Sequence, residues 1–489
     1  MNDLRFAFRQ LLKNPGFTVH PPQCNRSYRI PFPQCCSRKP GHLRQDCYGG
    51  RAVAVLEQAT KDNHQPNCMN TSPSKIIVFL LIGYCLMATH VTGADWPQWR
   101  GPRRDGHSSE KGLLKEWPQA GPKLVWKITN AGSGYSTPAV VGDRLYLQGN
   151  DGLENESVRS HSIKDGKQLW TARLGQVGNP KQQPSFPAAR STPTLDGDAL
   201  YALGSDGDLA CLEVATGQVR WRKNLRKDFG GKPGQWAYSE SPLVDGNAVV
   251  CTPGGGEATI VALNKKDGEV LWKCALPEGD TAAYASAIII EAGGVKQYVQ
   301  HLEKGLVGVD AKTGKFLWRF NKAVSRYGAN IPTPVAGDGL IYTAGAGTGG
   351  GAIKLKAQDG RFEPEQVYFE SKLPTAIGGA VKVGDYLYGT TAQALLCIEF
   401  ATGKIKWEER ALGAASLCFA DGCLYLQGEN GIVALVEASP EAYREKGRFT
   451  PPDRPRRSQE MEKAWTYPVV AQGQLFLRDH NLLWCYEIK

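Results

Sequence analysis

Short runs of apolar and small residues alternate along the chain with two-residue polar turns. The turns are Gly-Asp, Asp-Gly or related pairs, and β-branched and aromatic residues flank them. Gly and Asp tolerate the positive φ that a tight β-hairpin needs, so each run predicts two antiparallel strands. A weaker eighth run is SAIIIEAGGVKQYVQ (286–300). The seven clear runs are STPAVVGDRLYL (136–147), STPTLDGDALYAL (191–203), SPLVDGNAVV (241–250), TPVAGDGLIYTA (333–344), AVKVGDYLYG (380–389), LCFADGCLYL (417–426) and YPVVAQGQLFL (467–477).

A second pattern, out of phase with the first, is a six-residue phrase with glycine second and tryptophan last. It occurs as DGKQLW (165–170), TGQVRW (216–221), DGEVLW (267–272), TGKFLW (313–318) and TGKIKW (402–407). A double-length gap before the last phrase contains AQDGRFEPEQVYF (357–369), where Tyr368 stands near the expected position. Each repeat therefore predicts a hairpin, a third strand and an outer strand that carries an aromatic residue. The five phrase tryptophans are Trp170, Trp221, Trp272, Trp318 and Trp407.

Repeats of roughly 40–50 residues with four strands each are typical of β-propellers. The eight hairpins predict an all-β, eight-bladed propeller of four-stranded antiparallel blades, with the phrase tryptophans packed between adjacent blades. The last unit supplies three strands at most. The alternating segment KLVWKI (123–128), which carries Trp126, is expected to complete that blade, because an open ring would expose unpaired strand edges.

The phrase TGK-x-x-W, which follows the strand-like LVGVDA (306–311), resembles the repeat of the pyrroloquinoline quinone (PQQ) dehydrogenase superfamily. That superfamily also includes the propeller lipoprotein of the outer-membrane assembly machinery. The segment DWPQWRGPRRDGHSSEKGLLKEW (95–117) resembles the N-terminus of uncharacterised exported members. The resemblance covers about residues 95–489 and implies a PQQ-like propeller. It leaves function open, because one fold hosts many sites.

The first 94 residues do not follow the repeat. Lys75, the apolar run 76–88 and the small residues before Asp95 predict a secretory signal peptide that starts at Met69. The apolar run is shorter than the ~20 residues of a membrane span. Residues 1–18 resemble the N-terminus of a macrolide-exporter-type permease. The predicted division is a misassigned, fused or disordered extension (1–68), the signal peptide (69–94), an N-terminal extended segment (95–122) and the propeller (123–489).

The net charge of +10 is unevenly distributed along the chain. Residues 1–94 carry 11 Lys and Arg against 4 Asp and Glu, which leaves 47 against 44 for the remainder. An almost neutral propeller lacks the clustered basic face that nucleic-acid binding requires, so no nucleic-acid partner is expected. The signal peptide predicts a bacterial protein exported to the periplasm or outside the cell, without a transmembrane span after cleavage. We expect it to be a monomer.

Function on a propeller usually lies at the mouth of the central channel, where the residues that lead into each innermost strand converge. Aromatic side chains with an Arg, a Glu and an Asn predict a site for a protein partner or a small ligand. The alternative is that these side chains pack the funnel and satisfy one another. The candidates are Tyr135, Arg190, Tyr238, Glu240, Tyr284, Tyr327, Asn330, Trp465 and Tyr467.

The resemblance also implies an enzyme as an alternative. PQQ dehydrogenases hold Ca²⁺ against the quinone with a Glu and an Asn, and Glu240 and Asn330 occupy suggestive places for oxygen ligands. The stretch TAIGGA (375–380) offers no Asp as base, and the adjacent Cys35 and Cys36 lie outside the propeller. No metal site and no cofactor are therefore expected. The main hypothesis is an exported, non-catalytic binding propeller; the alternatives are a divergent quinoprotein alcohol dehydrogenase and a scaffold subunit of an envelope assembly complex.

Overall fold

The computed structural model describes residues 93–182, 187–455 and 463–489, and the regular secondary structure of these residues is almost entirely β-strand. The extension and most of the signal peptide predicted from the sequence lie outside the described residues, and so does the permease-like segment. The described helix, α1, is short and spans Leu225–Phe229. Among the described residues no helix has the length and apolar character to cross a membrane.

The described part of the chain begins with two strands whose partners are distant in sequence. They are β1 (His107–Ser108) and β2 (Lys123–Ile128). The chain then builds four four-stranded antiparallel blades in succession, each ordered from the channel outwards. They are blade 1, β3 (Ala139–Val141), β4 (Arg144–Asp151), β5 (Asn155–Ser162) and β6 (Gln168–Gly175); blade 2, β7 (Thr194–Asp196), β8 (Ala199–Leu203), β9 (Asp208–Glu213) and β10 (Val219–Asn224); blade 3, β11 (Leu243–Asp245), β12 (Ala248–Cys251), β13 (Ile260–Asn264) and β14 (Val270–Cys274); and blade 4, β15 (Ile288–Ala292), β16 (Val295–Leu302), β17 (Gly305–Asp310) and β18 (Phe316–Phe320).

The second half of the ring repeats the same plan, with both early strands added to it. Strand β1 pairs in parallel with the inner strand of blade 7, and β2 forms the outer strand of blade 8. The strands are blade 5, β19 (Val335–Gly337), β20 (Leu340–Gly345), β21 (Gly349–Gln358) and β22 (Arg361–Glu370); blade 6, β23 (Ala380–Val383), β24 (Tyr386–Thr390), β25 (Leu395–Glu399) and β26 (Ile405–Glu409); blade 7, β27 (Ala415–Ala420), β28 (Cys423–Gly428), β29 (Val433–Glu437) and β30 (Glu445–Phe449); and blade 8, β31 (Val469–Ala471), β32 (Gln474–Asp479) and β33 (Leu482–Glu487).

The predicted closure of the ring is confirmed. Strand β2 pairs antiparallel with β33, and Trp126 stands opposite Cys485. Trp126 donates its indole N–H to the Ile163 carbonyl of blade 1 at 2.7 Å. The two ends of the propeller therefore share one blade, which removes the free edge that an open ring would carry.

One repeated contact explains the phrase of glycine and tryptophan. In five places the outer-strand aromatic of one blade donates to a carbonyl of the next blade that lies three residues before the phrase glycine of that blade. The five aromatic residues are Trp126, Trp170, Trp221, Trp272 and Tyr368. Trp170, for example, donates to the Val214 carbonyl at 3.1 Å and lies against Gly217. Tyr368 makes the same contact through its hydroxyl, which donates to the Phe400 carbonyl at 2.8 Å. The predicted position between blades is thus occupied even in the degenerate repeat.

Trp318 departs from this geometry. Its indole N–H donates at 2.7 Å to Gln297 of its own blade, and the side chain is almost fully buried. The reason lies in blade 5, where β21 and β22 are ten residues long and carry the turn glycine Gly360 away from the ring. A Cβ atom built on Gly360 would meet nothing within 4 Å. Phe362 of this long hairpin fills the space and packs with Trp318 in one core cluster.

Candidate functional site

The central channel has two different mouths. Every inner strand runs in the same sense, so the loops that lead into the inner strands gather at one end, the loop mouth. The hairpin turns between the first and second strands gather at the other end, the turn mouth. The sequence candidates all belong to the loop mouth, because they precede inner strands.

A loop formed by Asp95–Ser108, the channel loop, occupies the channel. The backbone of Trp96 exchanges two hydrogen bonds with Val140 of β3, of 2.7 and 2.8 Å. The loop returns as β1, whose Ser108 pairs with Ala420 at the end of β27. At the turn mouth the Asp95 carboxylate accepts the Gly142 N–H at 2.9 Å. The sequence predicted only an extended segment here, because no periodicity in these residues indicates the channel.

Three side chains of the channel loop reach the channel wall near the loop mouth. Trp99 donates to the Thr333 hydroxyl at 2.9 Å and packs edge-on against Tyr467, with ring centroids 4.6 Å apart. Arg100 donates to the Ala380 carbonyl at 2.5 Å, and Arg104 donates to the Ser241 and Pro242 carbonyls. Both arginines are almost fully buried. The candidate Tyr467 is therefore part of the contact between the channel loop and the ring.

Four of the predicted residues come together at the loop mouth, and we name Tyr135, Arg190, Tyr284 and Trp465 the mouth cluster. The rings of Tyr135 and Trp465 lie 5.3 Å apart. The Arg190 guanidinium lies 5.0 Å from the centre of the Tyr135 ring. Tyr284 faces the same guanidinium from blade 4 and packs edge-on against Trp236, with centroids 5.7 Å apart. Trp236 was not predicted from the sequence, because its loop lies outside the repeated strands.

A hydrogen bond to Glu429 fixes the position of the Trp465 side chain. Its indole N–H donates to Glu429 at 3.0 Å, and Lys463 contacts the same carboxylate at 2.9 Å. Both Trp465 and Arg190 remain half-buried. The mouth cluster thus presents aromatic and guanidinium surface whose positions are set by neighbouring side chains.

A buried carboxylate that was not predicted from the sequence, Glu156, lies near Arg190 of this cluster. Glu156 of β5 accepts hydrogen bonds from the backbone N–H and the hydroxyl of Ser205 in blade 2. Burial raises the pKa of Glu156 to about 7, and the Ser205 bonds and the charge of Arg190 oppose that shift. The Glu156 side chain therefore links blade 1 to blade 2. The positive charge of Arg190 nearby partly offsets the cost of burying its carboxylate.

Glu240, Asn330 and Tyr238 point into the ring rather than into the mouth. Glu240 accepts from the N–H and hydroxyl of Thr252 and from the Gln300 amide. Burial raises the pKa of Glu240 to about 7, against the Thr252 bonds and the charge of Arg104. Asn330 and Tyr238 each clamp the backbone of a nearby loop. Their partners are the Ser325 N–H and the Leu302 and Glu303 carbonyls for Asn330, and the Pro253 carbonyl for Tyr238.

Tyr327, the remaining candidate, stands apart from the mouth cluster. It is 56% exposed and lies beside Gly347 in blade 5. No group of three or more His, Cys, Asp or Glu that could hold a metal ion occurs in the described ranges. Glu240 and Asn330 use their oxygens on backbone and side-chain donors, and the channel loop fills the space on the axis. These residues therefore do not fit a site for Ca²⁺ and a quinone.

Comparisons with known proteins agree with this fold. The family model described as "Outer membrane protein assembly factor BamB" matches residues 107–235 and 154–409, and the chain belongs to this family of PQQ-repeat β-propellers. The chain is 26% identical over 261 residues to the outer membrane protein assembly factor BamB of Burkholderia pseudomallei, covering 50% of this chain and 60% of that protein. It is 24% identical over 284 residues to the quinoprotein alcohol dehydrogenase PedH of Pseudomonas putida, covering 55% of this chain and 45% of that protein.

The match to a solved structure covers more of the chain. The crystal structure of BamB from Moraxella catarrhalis superposes with a TM-score of 0.53 at 15% identity, covering 76% of this chain and 98% of that one. At this identity the likeness shows the fold alone. The chain spans no more than about 60% of the length of the curated relatives named above.

Proposed function

We propose that this protein is an exported, non-catalytic propeller that binds a protein partner at the loop mouth of its channel. The observation that carries the proposal is the mouth cluster, in which the half-buried Trp465 and Arg190 both pack on the buried ring of Tyr135. Tyr, Trp and Arg are the residue types that contribute most to binding energy at protein interfaces. The exposed Tyr327 extends the same face.

The other end of the channel is a poorer candidate. At the turn mouth the channel loop already engages the turns of blades 1 and 8, because Asp95 accepts from both Gly142 and Gln472. At the loop mouth the ring of Tyr467 packs on Trp99 of the channel loop, whereas Trp465 remains half-buried. A partner that docks on the loop mouth would cover the half-buried surface of Trp465 and Arg190.

Export is the second part of the proposal. The apolar run 76–88 behind Lys75 and the small residues before Asp95 support cleavage near Ala94. N-terminal sequencing and peptide mass spectrometry of the native protein test this. A mature chain that starts near Asp95 is expected, whereas recovery of peptides from 1–68 in the mature product would defeat this part of the proposal.

The binding site is tested by site-specific photo-crosslinking in the native host. A photoreactive phenylalanine replaces Tyr327 at the loop mouth, and the matched control replaces Tyr386, which lies beside the Gly384 turn at the opposite mouth. A discrete crosslinked species at 327 that is absent at 386, and that the additional change Trp465→Ala reduces, is expected. Equal labelling at both positions would contradict a site at the loop mouth.

A scaffold role in an envelope assembly complex is the narrower form of this proposal. Support for it comes from the family, whose printed description is an outer membrane protein assembly factor. Mass spectrometry of the species crosslinked at position 327 tests it. Outer-membrane assembly components are expected among the captured proteins, and their absence from a clearly captured set would leave general partner binding standing without the assembly role.

The quinoprotein alternative has a separate test. Similarity to PedH favours it, but the oxygens of Glu240 and Asn330 are already used within the ring. Titration of residues 93–489 with PQQ and Ca²⁺ should leave the quinone absorbance unchanged and give no dye-linked alcohol oxidation. Stoichiometric binding with turnover would replace the binding proposal by the enzyme.

A further inference from the structure

The channel loop enters and leaves the channel at the same mouth. Its first residues run antiparallel to β3 through the Trp96 and Val140 bonds, and its last residues run parallel to β27 through β1. Since both inner strands run toward the turn mouth, the loop rises from that mouth and returns to it. At the base of the loop, Glu110 accepts the Ala94 N–H at 2.5 Å, which holds its two ends together.

The ring recognises this loop mainly through main-chain groups of many blades. The Pro97 carbonyl accepts the Leu195 N–H of blade 2 at 2.9 Å, and the Gly106 carbonyl accepts the Phe419 N–H of blade 7 at 2.8 Å. His107 contacts the Lys382 carbonyl of blade 6 at 2.7 Å. Such pairing of a peptide with exposed strand edges and carbonyls is a common mode of peptide recognition.

The channel loop has an unusual backbone conformation, and its contacts with the channel wall stabilise it. Arg100 and Arg104 have φ of 59° and 58°, in the left-handed region that residues with a side chain rarely adopt. Two tight turns follow one another, with Gly101 N–H bonded to Gln98 and Arg104 N–H bonded to Gly101. Within the described part of the chain, the Nε atoms of both arginines are buried without a hydrogen-bond partner. The channel loop therefore makes many hydrogen bonds in the channel but leaves some of its buried donors without an acceptor.

We propose that the central channel is a peptide-binding site and that Asp95–Ser108 is its resident ligand, which the same segment of a second copy of the chain can replace. The segment that connects the channel loop to β2 is accessible, as an exchange between copies requires. Residues 118–120, which follow Trp117 and precede β2, are exposed. Because this inference concerns the channel interior, it does not rest on the proposed partner site at the loop mouth.

The test keeps the whole chain and cuts it at one place. A site for a specific protease is inserted between Gln119 and Ala120 of the full protein, and the purified protein is cleaved. Native mass spectrometry and gel filtration then follow the N-terminal fragment. We expect the fragment to stay bound after the cut and to be replaced by an excess of a fluorescent synthetic peptide of residues 94–117.

Three matched changes make the exchange specific. A peptide with Arg100 and Arg104 both changed to Ala should compete at least tenfold less well. The change Arg103→Ala should leave competition normal, because Arg103 is exposed and forms its ion pair with Asp105 of the loop itself. In the ring, Thr333→Val removes the acceptor for Trp99 and should weaken peptide binding about fivefold, the effect of one lost hydrogen bond of about 1 kcal/mol.

Two results would overturn the inference. In the first, the cut fragment stays bound but never exchanges with excess peptide on a scale of days, and the loop is then an integral part of the core. In the second, the fragment leaves and the added peptide fails to bind, although circular dichroism shows an intact propeller. Crosslinking at position 327 is unaffected by either result, so the two proposals fail separately.

Discussion

The indole ring of Trp170 lies directly against Gly217 of the next blade. A Cβ atom built on Gly217 would stand 2.6 Å from the Cε3 atom of that ring, and the φ of Gly217 is 76°. The glycine of the repeated phrase therefore has two functions. It makes the turn before the outer strand of its own blade, and it provides a flat surface for the tryptophan of the preceding blade.

This relationship predicts the effect of Gly217→Ala. The added methyl group has to displace the Trp170 ring and also adopt a left-handed backbone. We expect a loss of roughly 2–6 kcal/mol in the free energy of unfolding, the sum of overpacking and backbone strain. The matched control is Gly197→Ala in the same blade, where φ is 60° and nothing lies within 4 Å of the new atom. Denaturant titration that finds equal losses for both variants would contradict the packing role.

Truncation of the phrase tryptophans should depend on how deeply each is buried. Trp318 is 2% exposed, whereas Trp272 is half-buried. We expect Trp318→Ala to cost about 3–5 kcal/mol and Trp272→Ala clearly less. Thermal melts and denaturant titration provide the measurement. If Trp318→Ala had the same melting temperature as the parent protein, the contact between Trp318 and the blade 5 hairpin would contribute little to stability.

The junction between blades 8 and 1 depends on one buried guanidinium. Arg478 has no exposed surface and donates to the carbonyls of Gly132, Ser136, Gln148 and His480. Arg478→Met would leave these acceptors unsatisfied, and we expect a loss of about 3–5 kcal/mol and a tendency to aggregate.

The control for the blade junction is Arg220→Met. Arg220 makes an exposed ion pair with Asp198, and such pairs contribute about 0–1 kcal/mol. Light scattering and thermal melts compare the two variants. A variant of Arg478 as stable as that of Arg220 would show that the ring closes without this guanidinium.

Stability should change with pH through Glu156. Its pKa is about 7 in the folded protein and near 4.5 when unfolded, so between these values the folded state holds the extra proton. The contribution of Glu156 is therefore fully present below about pH 4.5 and falls as the pH rises to 7. Glu156→Gln keeps an acceptor for Ser205 without ionising. The melting temperature of this variant, relative to that of the parent protein, should therefore rise between pH 5 and pH 8. The control Glu154→Gln, at an exposed position, should follow the parent at every pH.

The repeated pattern predicted the blades well because each blade is a local structure. Hairpins form between neighbours in sequence, and their turns need Gly or Asp whatever surrounds them. Even the degenerate repeat was detectable, since Tyr368 had to supply the aromatic contact that tryptophan supplies elsewhere. The site was predicted less completely. Tyr135, Arg190, Tyr284 and Trp465 come together, while Glu240 and Asn330 face inwards, because position before an inner strand does not determine where a side chain points.

The sequence by itself determined the all-β class, the eight four-stranded blades and the use of KLVWKI to close the ring, because strand alternation and turn chemistry act over a few residues. Only the tertiary structure decided what fills the channel. The contacts of the channel loop join Trp99 to Thr333 and Arg100 to Ala380, more than 200 residues away along the chain. Most of its bonds go to main-chain N–H and carbonyl groups, which do not depend on the residue type, so no residue type in the ring marks the place where the loop binds.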